Sequence, residues 1–184
     1  MREENENSSN QQQPGEPIEI QAVSDPNCKR RGESAEAEFI SRAITLGFSV
    51  LQPWGDSDHY DVVIDHRPGF SRVQVKSAAS CNRGQYSMKA GGHSKRYTNK
   101  DIDFLAGLVV PENLWYIVPI EAFAGVQALH FNPHPGQRKS KYEKYLEAWC
   151  LLDCTRQARG WKDIPVVCRC QQLAVRCAVC PSRG

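Results

Sequence analysis

Long apolar runs are missing from this 184-residue sequence. No stretch approaches the ~18 consecutive apolar residues that a membrane-spanning helix requires. The amino-terminal residues are dominated by Glu, Asn, Gln and Ser, and they contain no apolar core of the kind found in secretory signals. We therefore expect a soluble, cytoplasmic (intracellular) protein with no membrane partner.

A strong overall charge is also missing, because the formal net charge is only +2. The distribution of charge says more, since no Asp or Glu occurs between Cys81 and Lys100. The basic residues of this stretch, which are interleaved with aromatic and His side chains, are Arg83, Lys89, Lys95, Arg96 and Lys100. Such a pattern is typical of a segment that contacts a phosphate backbone, and equally of a solvated basic loop.

A disulfide framework is not expected, although the chain has eight cysteines. An intracellular location disfavours disulfides. The last four cysteines form two pairs, namely Cys168, Cys170, Cys177 and Cys180. Zinc sites usually separate such pairs by about a dozen residues or more, whereas here only six intervene. A zinc-binding element and a weakly ordered tail with reduced thiols are both open interpretations.

The length predicts one domain. Residues 1–27 contain few apolar side chains and are predicted to be a disordered head. Residues 32–152 are predicted to form the domain, and residues 153–184 a cysteine-rich tail. Apolar periodicity predicts helices at Gly32–Leu46 and Lys139–Leu152, and strands at Phe48–Leu51, Tyr60–Asp65, Phe70–Lys76, Gln85–Lys89, Asp103–Val110 and Leu114–Pro119. We expect Trp54, Trp115 and Trp149 to lie in the core.

Glu36 lies near the middle of the apolar arc of the first predicted helix, at about 100° per residue. A carboxylate that faces the core is costly unless it finds a cation or a donor, or lies at the mouth of a polar site. Glu36 is therefore a candidate site residue. The alternative is an exposed first turn, where Glu36 would only interact favourably with the helix dipole.

The short turn at His66–Gly69 predicts the register of a hairpin, with Asp61 directly opposite Gln74. Lys76 shares that face, while Val62, Ile64, Val73 and Val75 form an aliphatic face. A hard cation such as Mg²⁺ takes oxygen ligands, which Asp61, Gln74 and the Val75 carbonyl can supply. Lys76 is placed to orient or deprotonate an attacking water, or to stabilise charge in the transition state. A solvent-facing hairpin with the same residues is the alternative.

Together these residues resemble the PD-(D/E)XK nucleases, whose core is a helix followed by strands that carry an Asp and then a (D/E/Q)xK motif. The matching positions are Glu36, Asp61 and the Gln74-Val75-Lys76 motif. The branch typified by group I intron homing endonucleases is the most similar, because it has Gln at the motif's acidic position. Gly32–Phe39 and Ile102–Pro119 also fit that branch.

The resemblance implies an α/β fold with a restriction-endonuclease-like core, a mixed central β-sheet flanked by helices. It implies a metal-dependent endonuclease that uses Mg²⁺ or Mn²⁺ to cut double-stranded DNA, leaving a 5′-phosphate and a 3′-hydroxyl. The catalytic residues that it implies are Glu36, Asp61, Gln74 and Lys76, with Asp61, Gln74 and the Val75 backbone oxygen as metal ligands. It is also compatible with a homo-oligomer, since related enzymes often assemble to cut both strands.

Two other functions are compatible with the same residues. A nuclease that resembles Holliday-junction resolvases would share the metal site and act on branched DNA. A non-catalytic DNA-binding module of the same fold is suggested by Gln74, which supplies no negative charge where relatives have a carboxylate. Metal-dependent cleavage distinguishes this module from both nucleases.

Overall fold

The computed structural model describes residues 28–152, except 56, 67–68, 93–94, 135 and 137–139. The predicted head and the predicted cysteine-rich tail, including the four cysteines proposed as zinc ligands, lie outside the described residues. Their division from the domain therefore stays a prediction.

The first element is a helix, α1, which spans Cys28–Thr45 and so begins earlier than predicted. Its buried residues Ala35, Phe39 and Ala43 recur every four positions, which places them on one face. Gly47, with φ 79°, ends the helix: its N–H donates to the Ile44 carbonyl at 2.8 Å, and the Phe48 N–H donates to the Ala43 carbonyl at 3.0 Å. This is the Schellman motif, whose left-handed position favours glycine. No helix in the described part of the chain is long and apolar enough to cross a membrane.

Eight strands form two sheets in the described residues. In chain order they are β1 (Ser49–Leu51), β2 (Val62–Asp65), β3 (Phe70–Ala78), β4 (Cys81–Asn82), β5 (Gln85–Lys89), β6 (Phe104–Val109), β7 (Leu114–Pro119) and β8 (Ala128–Phe131). The larger sheet has the order β1-β2-β3-β6-β7, and the smaller sheet has the order β4-β5-β8. The larger sheet is mixed, because β3 and β6 are parallel while its other neighbours are antiparallel.

The register of the β2–β3 hairpin is the predicted one. Asp65 pairs with Phe70 and Val62 pairs with Val73, and continuing this register sets Asp61 opposite Gln74. The four aliphatic residues predicted to share a face, Val62, Ile64, Val73 and Val75, all join the core cluster that contains the buried face of α1. The alternation of the sequence was sufficient here, because a slip of one residue would have exposed this entire aliphatic set.

The larger sheet is covered on both faces, and β6 is buried throughout. Phe104, Ala106 and Leu108 pack in the cluster on the α1 side. Leu105 and Val109 pack in a second cluster, with side chains of β5 and β8. The predicted mixed sheet is confirmed, and in the described residues α1 covers one face while the smaller sheet covers the other.

The predicted closing helix over Lys139–Leu152 is wrong for residues 140–150, where the chain forms turns and one 3-10 turn at Glu143–Tyr145. The apolar residues of this segment do not share one face. Tyr142 and Tyr145 pack in the second cluster, whereas Ala148 and Trp149 pack in the first. The segment thus contributes side chains to both clusters, which a single helical face cannot do.

Candidate active site

Asp61 directly precedes β2, and three groups of β3 form hydrogen bonds with it. Two of these bonds involve its carboxylate and one involves its backbone N–H. Its Oδ2 accepts a hydrogen bond from the Val75 N–H at 2.8 Å and another from the Gln74 side-chain amide. Its own N–H donates to the Val73 carbonyl at 3.0 Å. Strand β3 therefore fixes the position and the orientation of this carboxylate.

Gln74 is buried, with 6% of its surface exposed, and its amide lies between two oxygens. Gln74 Nε2 donates to Asp61 Oδ2 and is also 3.3 Å from the Val75 carbonyl oxygen. The oxygen and nitrogen of an amide exchange places by a half-turn of the group. After that half-turn the amide oxygen would join the Asp61 and Val75 oxygens, which is the ligand chemistry that Mg²⁺ or Mn²⁺ prefers.

The described residues contain no group of three His, Cys, Asp or Glu side chains that could hold a metal. A metal bound here would therefore depend on an amide and a backbone oxygen beside the carboxylate of Asp61. These three predicted ligands are adjacent in the structure, and their chemistry fits a hard divalent cation.

Glu36 projects from α1 toward the same place. Partial burial raises the pKa of the Glu36 carboxyl, the negative charge of Asp61 raises it further, and the Lys76 ammonium lowers it. Burial also raises the pKa of Asp61, against the opposing effects of the Val75 hydrogen bond and the Lys76 charge. Two carboxylates and one ammonium therefore interact within one site, and the pKa of each carboxyl lies above its ordinary value.

An open cleft of about 1050 Å³ contains these groups. Its lining residues include Glu36 of α1, Asp61 directly before β2, Lys76 of β3 and Lys89 of β5. The elements converge because β3 lies in the middle of the larger sheet, with α1 against one face and β5 near the other. Its walls carry both carboxylates and lysines.

The predicted basic residues do not all reach this cleft. Lys89 lines it, whereas Arg83, Lys95, Arg96 and Lys100 are exposed and are not among its lining residues. The Arg96 guanidinium instead donates to the Gly125 carbonyl at 2.7 Å. Lys29 of α1 also lines the cleft, and it was not predicted because it lies before the first predicted helix.

Tyr97 is a second residue that the sequence did not identify as part of the site. Its side chain is buried, and burial together with the negative charge of Asp61 raises the pKa of Tyr97 to about 12. The phenol therefore lies near Asp61 and stays neutral at physiological pH. The sequence placed Tyr97 only among the aromatic residues interleaved with the basic stretch, and nothing in that pattern indicated that it lies near Asp61.

Trp54 corrects another expectation. Trp115 and Trp149 are core residues, 3% and 5% exposed, and their rings pack against Phe39. Trp54, predicted to join them, is fully exposed at 101%. It lies on the loop between β1 and β2, and its neighbours Pro53 and Gly55 line the cleft.

Known proteins are similar to this chain in sequence and in fold. A family model described as PD-(D/E)XK endonuclease matches residues 26–152. The structure of a bacterial homing endonuclease, I-Ssp6803I, is similar with 31% sequence identity and a TM-score of 0.62, covering 72% of this chain and 96% of that chain. Hjc, a Holliday junction resolvase from the archaeal hyperthermophile Archaeoglobus fulgidus, matches with 11% identity and a TM-score of 0.39, covering 56% of this chain and 84% of that chain. No curated protein sequence matches the chain.

The family match covers more than half of the chain and includes every element that lines the cleft. The mixed five-stranded sheet with a helix on one face is the restriction-endonuclease-like arrangement implied by the sequence motif. The chain therefore belongs to the PD-(D/E)XK endonuclease family.

Proposed function

We propose that this protein is a metal-dependent endonuclease that hydrolyses phosphodiester bonds of double-stranded DNA, in the manner of homing and restriction endonucleases. The observation that carries the proposal is the meeting of Glu36, Asp61 and Lys76 in one open cleft. The similar homing endonuclease supports DNA as the substrate. Mg²⁺ is the proposed cofactor, with Mn²⁺ as a substitute.

The proposed metal ligands are the Asp61 carboxylate, the Gln74 amide oxygen and the Val75 carbonyl oxygen. A bound divalent cation would polarise the scissile phosphate and acidify a water molecule. The half-turn of the Gln74 amide exchanges a donor for an acceptor, so the metal-free and metal-bound sites would differ mainly at this side chain. Glu36, whose charge interacts with that of Asp61, supplies a second carboxylate near the cation.

Lys76 is proposed to act on the reacting groups directly. Its ammonium lies near both carboxylates, and its charge affects the pKa of each. From that position it would hold the attacking water and stabilise the negative charge that develops on the phosphoryl oxygens. The water forms a new bond to phosphorus and the bond from phosphorus to the 3′-oxygen breaks, leaving a 5′-phosphate and a 3′-hydroxyl.

Lys29 and Lys89 are proposed to bind the DNA backbone, since they extend the positive charge of the cleft away from Lys76. The remaining basic residues, Arg83, Lys95, Arg96 and Lys100, would contact DNA only beyond the cleft. A homo-oligomer that cuts both strands remains part of the proposal, and the oligomeric state in solution tests it.

The test is cleavage of supercoiled plasmid by the purified full-length chain with Mg²⁺, with Mn²⁺ and with EDTA. Wild type is compared with Lys76→Ala and Asp61→Ala, and Lys144→Ala serves as a control because Lys144 is exposed and lies outside the cleft. We expect nicking or linearisation that requires metal, a loss of about 10²–10⁴-fold in rate for Lys76→Ala, and no loss for the control.

Two results would contradict the proposal. Cleavage that persists in both site variants would assign the activity to another site or to a contaminant. Metal-independent binding without cleavage, on plasmid and on branched DNA alike, would favour a non-catalytic DNA-binding module. Cleavage restricted to branched DNA would instead favour the resolvase-like function.

A further inference from the structure

Trp54 has no contact that explains its position. Its side chain is fully exposed, and each face of the indole is open to solvent. Large apolar side chains on a protein surface are often interaction sites, and tryptophan supplies a large rigid contact area. Neither Trp54 nor the exposed Phe70 is itself a lining residue of the cleft, but both chain neighbours of Trp54, Pro53 and Gly55, line it, and those of Phe70 do not.

The loop that carries Trp54 is built to project this ring. Pro53 is half-buried and fixes the backbone before the tryptophan. Gly55 has φ 81°, a left-handed conformation that glycine adopts readily, so the backbone bends at Trp54 and Gly55. The indole therefore projects from a bend in the chain.

The loop that carries Trp54 forms part of the wall of the proposed catalytic cleft. Gln52, Pro53, Gly55 and Asp58 line the same cleft as Asp61. The cleft also presents three ammonium groups, from Lys29, Lys76 and Lys89. Lys29 lies 4.0 Å from the Glu33 carboxylate, whereas Lys76 and Lys89 are complementary to a phosphate backbone beside the carboxylates of the cleft. An exposed indole is complementary to the faces of nucleobases.

We propose that Trp54 inserts its indole between adjacent base pairs of the DNA held in the cleft, unstacking that step beside the scissile phosphate. The inference rests on the proposed function, because DNA must occupy the cleft. Insertion uses both faces of the ring, which accounts for a side chain that packs against nothing in the protein. Apolar side chains that enter base steps partially unstack and kink a duplex, and this would bring the backbone toward Lys76.

Unstacking gives the proposal a specific signature. A base step that is already mispaired costs less to open, so a wedge binds it more tightly than a fully paired step. A tryptophan that only contacts the backbone, or that only stabilises the loop, would not produce this preference. The preference should therefore depend on an aromatic ring at position 54.

The experiment measures binding in EDTA, where cleavage is blocked, by anisotropy of a short labelled duplex of mixed sequence and of the same duplex with a central mismatch. Wild type is compared with Trp54→Ala and Trp54→Phe, and Phe70→Ala is the matched control for an exposed aromatic whose chain neighbours do not line the cleft. We expect wild type to prefer the mismatched duplex, Trp54→Ala to bind roughly tenfold more weakly and without preference, and Trp54→Phe and Phe70→Ala to resemble wild type.

A second readout reports on the ring itself. The chain has four tryptophans, and the two described besides Trp54 are buried. Addition of the duplex should quench the emission of wild type and leave the emission of Trp54→Phe almost unchanged. If Trp54→Ala keeps both the affinity and the mismatch preference of wild type, the inference is overturned, even where wild type cleaves plasmid. If wild type neither binds DNA nor cleaves it, the proposed function fails and the inference fails with it.

Discussion

Asp61 and Gln74 share a hydrogen bond in a largely buried site, and this contact determines how the site responds to charge. The carboxylate accepts from two donors of β3, and the amide nitrogen donates where a metal ligand would have to be an oxygen. A bound cation would therefore require the half-turn that exchanges the Gln74 donor for an acceptor. Variants of single residues can separate the two orientations of this amide.

Gln74→Glu tests the contact. A second carboxylate would replace the donor beside Asp61, and because residue 74 is buried, the repulsion should lower the free energy of unfolding in EDTA by on the order of 1–3 kcal/mol. A divalent cation should reverse this effect, so Mg²⁺ should stabilise Gln74→Glu more than it stabilises wild type. Urea unfolding with and without metal measures both quantities. Gln85→Glu, at a half-exposed position of β5, is the control. If Gln74→Glu were as stable as wild type in EDTA, that result would argue against the buried contact between residues 61 and 74.

The raised pKa values of Glu36 and Asp61 give a prediction for pH. Burial is the largest cause for each, so the folded protein holds these protons more tightly than the unfolded chain does. Their contribution to stability is then fully present below the unfolded-state pKa values and is lost as pH rises through the raised folded-state values. As pH rises through the folded-state pKa values in EDTA, the midpoint temperature of thermal unfolding of wild type should therefore fall relative to that of Asp61→Asn. A constant difference between the two proteins would refute the prediction.

At the scale of elements, the segment at 140–150 packs against β7, the edge strand of the larger sheet, and hydrogen bonds hold it there. The Glu147 carboxylate accepts from the Trp115 N–H at 2.7 Å and from the Trp149 indole N–H at 2.8 Å, while its own N–H donates to the Trp115 carbonyl at 2.7 Å. Glu147 has φ 49°, and the neighbouring Leu146 forms a bridge with Tyr116 of β7. These contacts hold a non-helical chain against β7 despite its helical spacing of apolar residues.

Glu147→Ala should destabilise the protein by about 2–3 kcal/mol, because it removes hydrogen bonds to a charged acceptor and leaves a buried indole N–H without a partner. Chemical unfolding monitored by circular dichroism measures the loss. Glu121→Ala, at an exposed position, should change stability little. A loss at Glu147 no larger than that at Glu121 would mean that the segment is held by its aromatic side chains alone.

The close approach of the two sheets is also an element-scale feature. A Cβ atom at Gly107 would lie 2.7 Å from the Met88 sulfur. Gly107 pairs with Lys76 across the parallel β3–β6 ladder, so the small residue lets β5 approach beside Lys76. Lys89, which follows Met88, reaches the cleft as a consequence.

At the scale of the whole molecule, the net charge of +2 conceals a cleft that presents three lysines beside its carboxylates. A phosphate backbone in this cleft would release counterions, and binding should weaken as salt rises. The number of basic residues that contact the DNA sets the size of this salt dependence, and the net charge of the protein does not.

Lys89→Ala should therefore weaken DNA binding and reduce the slope of log K against log salt concentration by roughly 0.9, the value for one lost phosphate contact. Titrations of labelled duplex in EDTA at several salt concentrations measure the slope. Lys144→Ala is the matched control, since it removes the same charge outside the cleft. Equal slopes for Lys89→Ala and wild type would remove Lys89 from the binding surface.

The sequence by itself determined the features that depend on near neighbours along the chain. Residues a few positions apart determine the buried face of α1, the end of that helix at Gly47 and the register of the β2–β3 hairpin. The register places Asp61 opposite Gln74. The Gln-Val-Lys motif then indicated the family, which the comparisons confirm. The roles of the individual site residues stay predictions until cleavage is measured.

Only the tertiary structure decided what depends on distant parts of the chain. The parallel β3–β6 pairing joins strands that are separated in the chain by β4 and β5, and no local pattern specifies it. The segment at 140–150 has helical spacing but contributes side chains to both core clusters. Lys89 reaches the cleft through this packing and Tyr97 is buried near Asp61, whereas Trp54, apolar enough for a core, projects into solvent. Burial is set by which elements meet, and the composition of a single segment does not contain that information.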